Sequence, residues 1–140
     1  MKQISTRFSI AVHILSLIAV SSNDYECTGD FIADSVNTNP VIIRRIMSNL
    51  KKAGFVRVRP GAGGASLLKD PGEITLFDIY RAVDVTEEHH LFRIHENCNI
   101  HCPVGRNIER VLQAELNDAQ SAMEHRLAQT TLEQLVQNFK

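Results

Sequence analysis

Apolar residues recur at steps of three and four through Ile4, Phe8, Ala11, Val12, Leu15, Ile18 and Ala19, the period of an amphipathic helix. "SSND" at 21–24 ends it. Thr28 then suits the N-cap of a short helix with Phe31, Ile32 and Val36 on one side. "NTNP" breaks the chain, with Asn39 a good N-cap and Pro40 a good first helical residue. The third helix turns Ile42, Ile43, Ile46, Met47 and Leu50 inward and Arg44, Arg45, Lys51 and Lys52 outward. Gly54 stops it at the C′ position.

From Phe55 the period changes to alternation. Val56 and Val58 alternate with Arg57 and Arg59, "PGAGG" turns, and "ASLL" returns, which predicts a two-stranded hairpin. "DPGE" is another turn, and Thr75 caps a short helix carrying Leu76, Ile79, Tyr80 and Val83. Residues 84–102 lack a clear period and read as a loop. Pro103 opens the longest helix, with Val104, Ile108, Leu112, Leu116, Ala119, Met123 and Leu127 at three and four. A last amphipathic turn holds Leu132, Leu135, Val136 and Phe139. The expected fold is mainly α: a winged helix-turn-helix with a two-stranded wing over 1–72, a connecting helix and loop over 73–102, and a long helix with a C-terminal helix over 103–140.

Composition narrows the class. Apolar residues make up 44% of the 140, ordinary for a chain that buries a core. The longest apolar run, Phe8 to Val20, holds His13 and two serines and lacks a small-residue cleavage site, so neither a membrane span nor a signal peptide is expected. Three cysteines do not make a secreted disulfide framework. A reducing cytoplasm is expected, where cysteine is a thiol, a ligand or a sensor. The net charge of −1 hides a division. Residues 1–69 hold nine Lys and Arg against four Asp and Glu, a net +5, and the remainder nets −6. A basic half suggests a polyanion partner.

Helix, short helix, capped basic helix and basic hairpin, in that order, are the parts of a DNA-binding winged helix. A Lys/Arg helix face alone is most often only solvated; the ordered set is more specific. The third helix would enter the major groove with Thr38, Asn39, Val41, Ile42, Arg44 and Arg45 nearest the base edges, since Arg suits guanine and Asn suits adenine. Lys2, Lys51 and Lys52 would hold phosphates. Arg57 and Arg59, with Gly61, Gly63 and Gly64 at the hairpin tip, would approach the backbone or a minor groove. His13 reads as a satisfied interior or boundary residue. No phosphate loop, nucleophile elbow or paired carboxylates are present, so no enzyme activity is expected.

These segments resemble the Rrf-two family of bacterial transcriptional regulators. "SIAVHILSLIAV", "IADSVNTNPVIIRRIMSNLKKAGFV", "GAGGASLLKDPGEITLFDIYRAV" and "HENCNIHCPVGRNIERVL" carry the resemblance, over nearly the whole chain. The likeness is greatest to a thiol-sensing Gram-positive branch with "CPVG" at the start of the long helix. It implies a homodimer joined through that helix, here by Ile108, Leu112, Leu116, Ala119, Met123 and Leu127. The apolar stripe agrees, being longer than one small domain can cover. The resemblance also implies a palindromic double-stranded operator and a repressor. Iron–sulfur members of the family present three cysteines in one loop. Here the loop has Cys98 and Cys102, separated by three residues, and Cys27 lies far away.

Cys102 precedes Pro103 and is expected at the N-cap of the long helix, where unpaired N–H groups favour a thiolate. Arg106 is expected to add positive charge. Oxidation to a sulfenic acid would be followed by condensation with Cys98 or Cys27. A bond to Cys27 would tie the loop to the helix-turn-helix and alter the spacing of two recognition helices, which must sit about 34 Å apart. Inert buried thiols are the bland alternative. No cofactor is expected. The alternatives are an iron–sulfur cluster or Zn²⁺ using His95, Cys98, His101 and Cys102, an effector beside Tyr80 and Phe92, or a metal-binding accessory protein without DNA binding. His89, His90, Glu87 and Glu88 read as loop surface.

Overall fold

The computed structural model describes residues 6–21, 27–59, 64–83 and 91–139. Its elements are α1 (Thr6–Val20), α2 (Gly29–Val36), α3 (Pro40–Lys52), β1 (Val56–Val58), β2 (Ala65–Leu67), α4 (Leu76–Val83), α5 (Pro103–Leu127) and α6 (Leu132–Val136). They group into two compact units, Met1–Asp84 with Leu127–Lys140, and Val85–Arg126. Helices α4 and α6 fall in the first unit with the helix-turn-helix and the hairpin.

In the first unit α1 buries Ala11, Ile14, Leu15, Ser16 and Ile18, and Phe8, Val12 and Leu17 are partly covered as well. The spacing predicted one apolar stripe. Apolar surface instead runs round most of the helix, because α2, α3, α4, α6 and β2 all pack on it. Ile32, Ile43, Ile46, Leu50, Phe55, Val56, Ile79 and Val83 complete the core. His13 stands at the boundary, exposed, with its Nε2 3.0 Å from Ser35 Oγ on α2.

Local chemistry sets the element ends. Thr28 Oγ1 accepts from the Phe31 N–H, and Asn37 closes α2 in the left-handed region, φ 57°, donating to the Ala33 carbonyl. Gly54, φ 82°, follows α3 as expected. Thr75 and Asp78 bond each other's main-chain N–H at the start of α4. The five-residue α6 could not stand alone. A Thr131–Gln134 capping box opens it, and Leu132 and Val136 are buried. Main-chain bonds stitch its approach to the segment before α4: Leu132 N–H to Ile74 carbonyl (2.7 Å) and Leu76 N–H to Thr130 carbonyl (2.9 Å).

The hairpin pairs Val56 with Leu67, Arg57 with Ser66 and Val58 with Ala65, antiparallel. At the entry to β2, Gly64 lies against the main chain of Cys27. A Cβ there would sit 2.8 Å from the Cys27 nitrogen, and the Ala65 N–H bonds the Cys27 carbonyl at 2.9 Å.

In the second unit a loop over 91–102 leads into α5, with the Leu91 N–H held by Gln120 Oε1. None of the 25 residues of α5 is buried. Ile108, Leu112, Leu116 and Met123 are half-buried, Ala119 is exposed, and Val104 and Val111 are exposed too.

Gly64→Ala should lower the unfolding free energy by about 1–3 kcal/mol, since backbone cannot retreat from the added methyl. Gly29→Ala meets nothing within 4 Å and should hold or raise stability by up to about 1 kcal/mol. Urea melts of the two variants decide it; equal losses would contradict the close packing at Gly64.

Candidate nucleic-acid interface and thiol site

The helix-turn-helix is α2, the turn Asn37–Thr38–Asn39, and α3. Ile43, Ile46 and Leu50 of α3 enter the core. The 3.6-residue period then leaves Val41, Arg44, Arg45, Ser48, Lys51 and Lys52 exposed on the other side. Ile42 is half-buried against the core. Asn39 is exposed, and its Oδ1 accepts from the Val41 N–H at 2.8 Å, capping α3. Thr38 is half-buried. Ser48, not singled out from the sequence, shares this exposed face one turn after Arg44.

On the hairpin, Arg57 and Arg59 are exposed as expected. Val56 is buried, while Val58, paired with Ala65, is 40% exposed. Gly64 faces the Cys27 main chain, and its lack of a side chain permits that close packing. Lys2, Gly61 and Gly63, like Glu87, Glu88, His89 and His90, lie outside the described residues.

The three cysteines have different surroundings. Cys27 is buried in the first unit, and burial pushes its thiol up, against a smaller opposing effect of a hydrogen bond with Ser21. Cys98 is half-buried in the second unit, on the wall of a polar cavity of about 420 Å³ that His95, Arg106 and Glu109 also line. Cys102 is exposed at the start of α5. The main-chain N–H groups of Gly105 and Val104 bond its sulfur and hold the thiol below its ordinary value. The shift thus comes from the main chain and not from Arg106. Gly105 has its own reason: a Cβ there would run into the Asn99 carbonyl oxygen, which also accepts the Cys102 N–H. Asn99 Oδ1 accepts from His101 N–H at 2.8 Å, further fixing the loop over the helix start. Tyr80 is taken up by the core, edge to face with Phe8 at 6.0 Å.

The family model Rrf2, described as an iron-dependent transcriptional regulator, matches residues 4–138. The chain belongs to the Rrf2 family. A Bacillus subtilis (strain 168) protein named as an HTH-type transcriptional regulator, YwnA, is 47% identical over 97% of this chain and 98% of its own. A crystal structure of a protein described as DNA-binding is 43% identical, with TM-score 0.73, over 92% of this chain and 97% of that one. The structure of CymR, the global cysteine regulator of B. subtilis, is 26% identical, with TM-score 0.70, over 99% and 98%. This Rrf2 chain is therefore a winged-helix, DNA-binding transcriptional regulator and not an enzyme. Among the described residues no helix is long and apolar enough to cross a membrane.

The Rrf2 description implies iron. Among the described residues, no three His, Cys, Asp or Glu side chains converge as metal ligands, and the loop supplies only Cys98 and Cys102 as thiols. His95 and His101 do not complete a set with them. The donors among the described residues of one chain do not by themselves make a four-ligand cluster or Zn²⁺ site.

A lowered thiol value means more thiolate at a given pH, and a raised one means less. Iodoacetamide at neutral pH should therefore modify Cys102 well ahead of Cys27. The Cys102 rate should reach half its plateau below the ~8.5 of a free thiol. Peptide mass spectrometry of timed samples measures both, and a Cys102 midpoint at or above that value would count against the amide effect.

Proposed function

We propose that the chain acts as a homodimeric repressor of a palindromic operator, and that oxidation of Cys102 switches its DNA affinity. The exposed Cys102 sulfur on the amides of Gly105 and Val104 carries the reading. A hydroperoxide is the oxidant class. The thiolate attacks its terminal oxygen, the O–O bond breaks, and the leaving oxygen takes a proton and departs as alcohol or water. The Cys98 sulfur then attacks the sulfenic acid, forming the disulfide and releasing water. Two thiols are oxidised and one peroxide is reduced. Cys98 shares a compact unit with Cys102, while Cys27 is buried with its thiol pushed up, so Cys98 is the better partner. Similarity to a global cysteine regulator fits thiol-linked control.

The dimer reading rests on α5, a long helix with a half-buried apolar stripe and no buried residue, as a helix awaiting a second copy presents. The DNA reading rests on the exposed face of α3 and on Arg57 and Arg59 of the wing.

A gel shift on an operator selected from random DNA tests the switch. Hydroperoxide should change the affinity of the wild type and of Cys27→Ser, and leave Cys102→Ser unaffected; a wild-type response in Cys102→Ser would sink the proposal. Separately, the Arg44→Ala, Arg45→Ala double variant should lose specific binding by roughly 100-fold, at about 1–3 kcal/mol for each base contact. Wild-type affinity should fall steeply with salt. Full operator protection by the double variant would refute the assignment of α3.

A further inference from the structure

Between α3 and the wing lies a second cavity, of about 280 Å³, wholly within the first unit. Ile32, Ile43, Met47 and Val58 give it an apolar wall, and Ala65 and Cys27 lie on it too. Arg44 and Lys51 also line it, and no carboxylate does among the described residues. An apolar wall with a few converging polar groups is the usual make-up of a small-molecule site, and this volume is near the lower end for one. It is a space the core leaves unfilled: Val58 stays 40% exposed beside it.

We propose that this cavity binds a small apolar carboxylate, of the medium-chain fatty acid class, and that its occupancy opposes DNA binding. The hydrocarbon part would lie along Ile32, Ile43, Met47 and Val58, where burial drives it out of water. The carboxylate would lie at Arg44 and Lys51. A positive pair without a carboxylate of its own favours an anion over a neutral or cationic head group. The same two cations stand on the exposed face of α3, so a bound carboxylate and a DNA phosphate or base edge compete for them. This last step rests on the DNA reading of α3 proposed above.

Calorimetry of the reduced full chain with butyrate, hexanoate and octanoate tests the site without DNA. Affinity should climb about fourfold per added methylene, the burial of each CH₂ expressed as a ratio. Octanamide, of equal length and neutral, should bind at least tenfold more weakly. Ala65→Leu, which fills the cavity, should weaken octanoate at least tenfold. Met47→Ala, which enlarges it, should shift the preference toward decanoate and serves as the check if Ala65→Leu fails to fold. Absence of octanoate binding, equal binding of octanamide, or indifference to both substitutions overturns the site. Saturating octanoate should then lower operator affinity in the wild type. If it binds as described and operator affinity does not change, the antagonism is overturned and the site stands. The Arg44→Ala, Arg45→Ala gel shift reports independently whether the DNA reading of α3 has failed.

Discussion

Helix α1 is the packing centre of the first unit. Helices α2, α3, α4 and α6 and strand β2 all lie on it, and Ala11, Ile14 and Leu15 are fully enclosed. The rest of the first unit depends on this enclosure. It draws Ile43, Ile46 and Leu50 inward, and the helical period then decides which residues of α3 face out. The core and the basic face of α3 are two sides of one repeat. A substitution that rotated α3 to bury a different row would dissolve the exposed row together with the core.

Features governed by neighbours along the chain are legible in the sequence. The caps at Thr28 and Asn39, Pro40 at the first helical position, Gly54 after α3, and the change from helical to alternating period at the hairpin all rest on interactions across a few residues. So does the placing of Cys102 at a helix start. Features that depend on contacts between distant segments are not legible there. Nothing near Gly64 reveals that the Cys27 main chain lies against it. Val56 and Val58 share the same alternation, yet Val56 is buried and Val58 is 40% exposed. The burial of Cys27, the packing of four helices and a strand on α1 and the return of α6 to the first unit likewise depend on partners many residues away.

The thiols show how one residue type acquires different chemistry from backbone alone. Neither the raised value of Cys27 nor the lowered value of Cys102 involves a charged neighbour among its causes. One thiol is shielded from water, which disfavours its anion. The other is fully open to it, and directed amide dipoles stabilise its anion. Gly105 makes the second arrangement possible by letting the Asn99 carbonyl sit over the first turn of α5. The glycine in "CPVG" therefore shapes the loop while its N–H serves the sulfur.

The stitching of Leu132 to Ile74 and of Thr130 to Leu76 has a genetic meaning. The segment that carries α6 follows the long helix in sequence but is an inner part of the first unit, since Leu132 and Val136 complete its core. A stop codon or frameshift just after α5 would leave the helix-turn-helix, the wing and all three cysteines intact in sequence. It would nonetheless open one wall of the core around α1. Lesions mapped to α6 would thus resemble, in their effect on folding, lesions in the middle of α1.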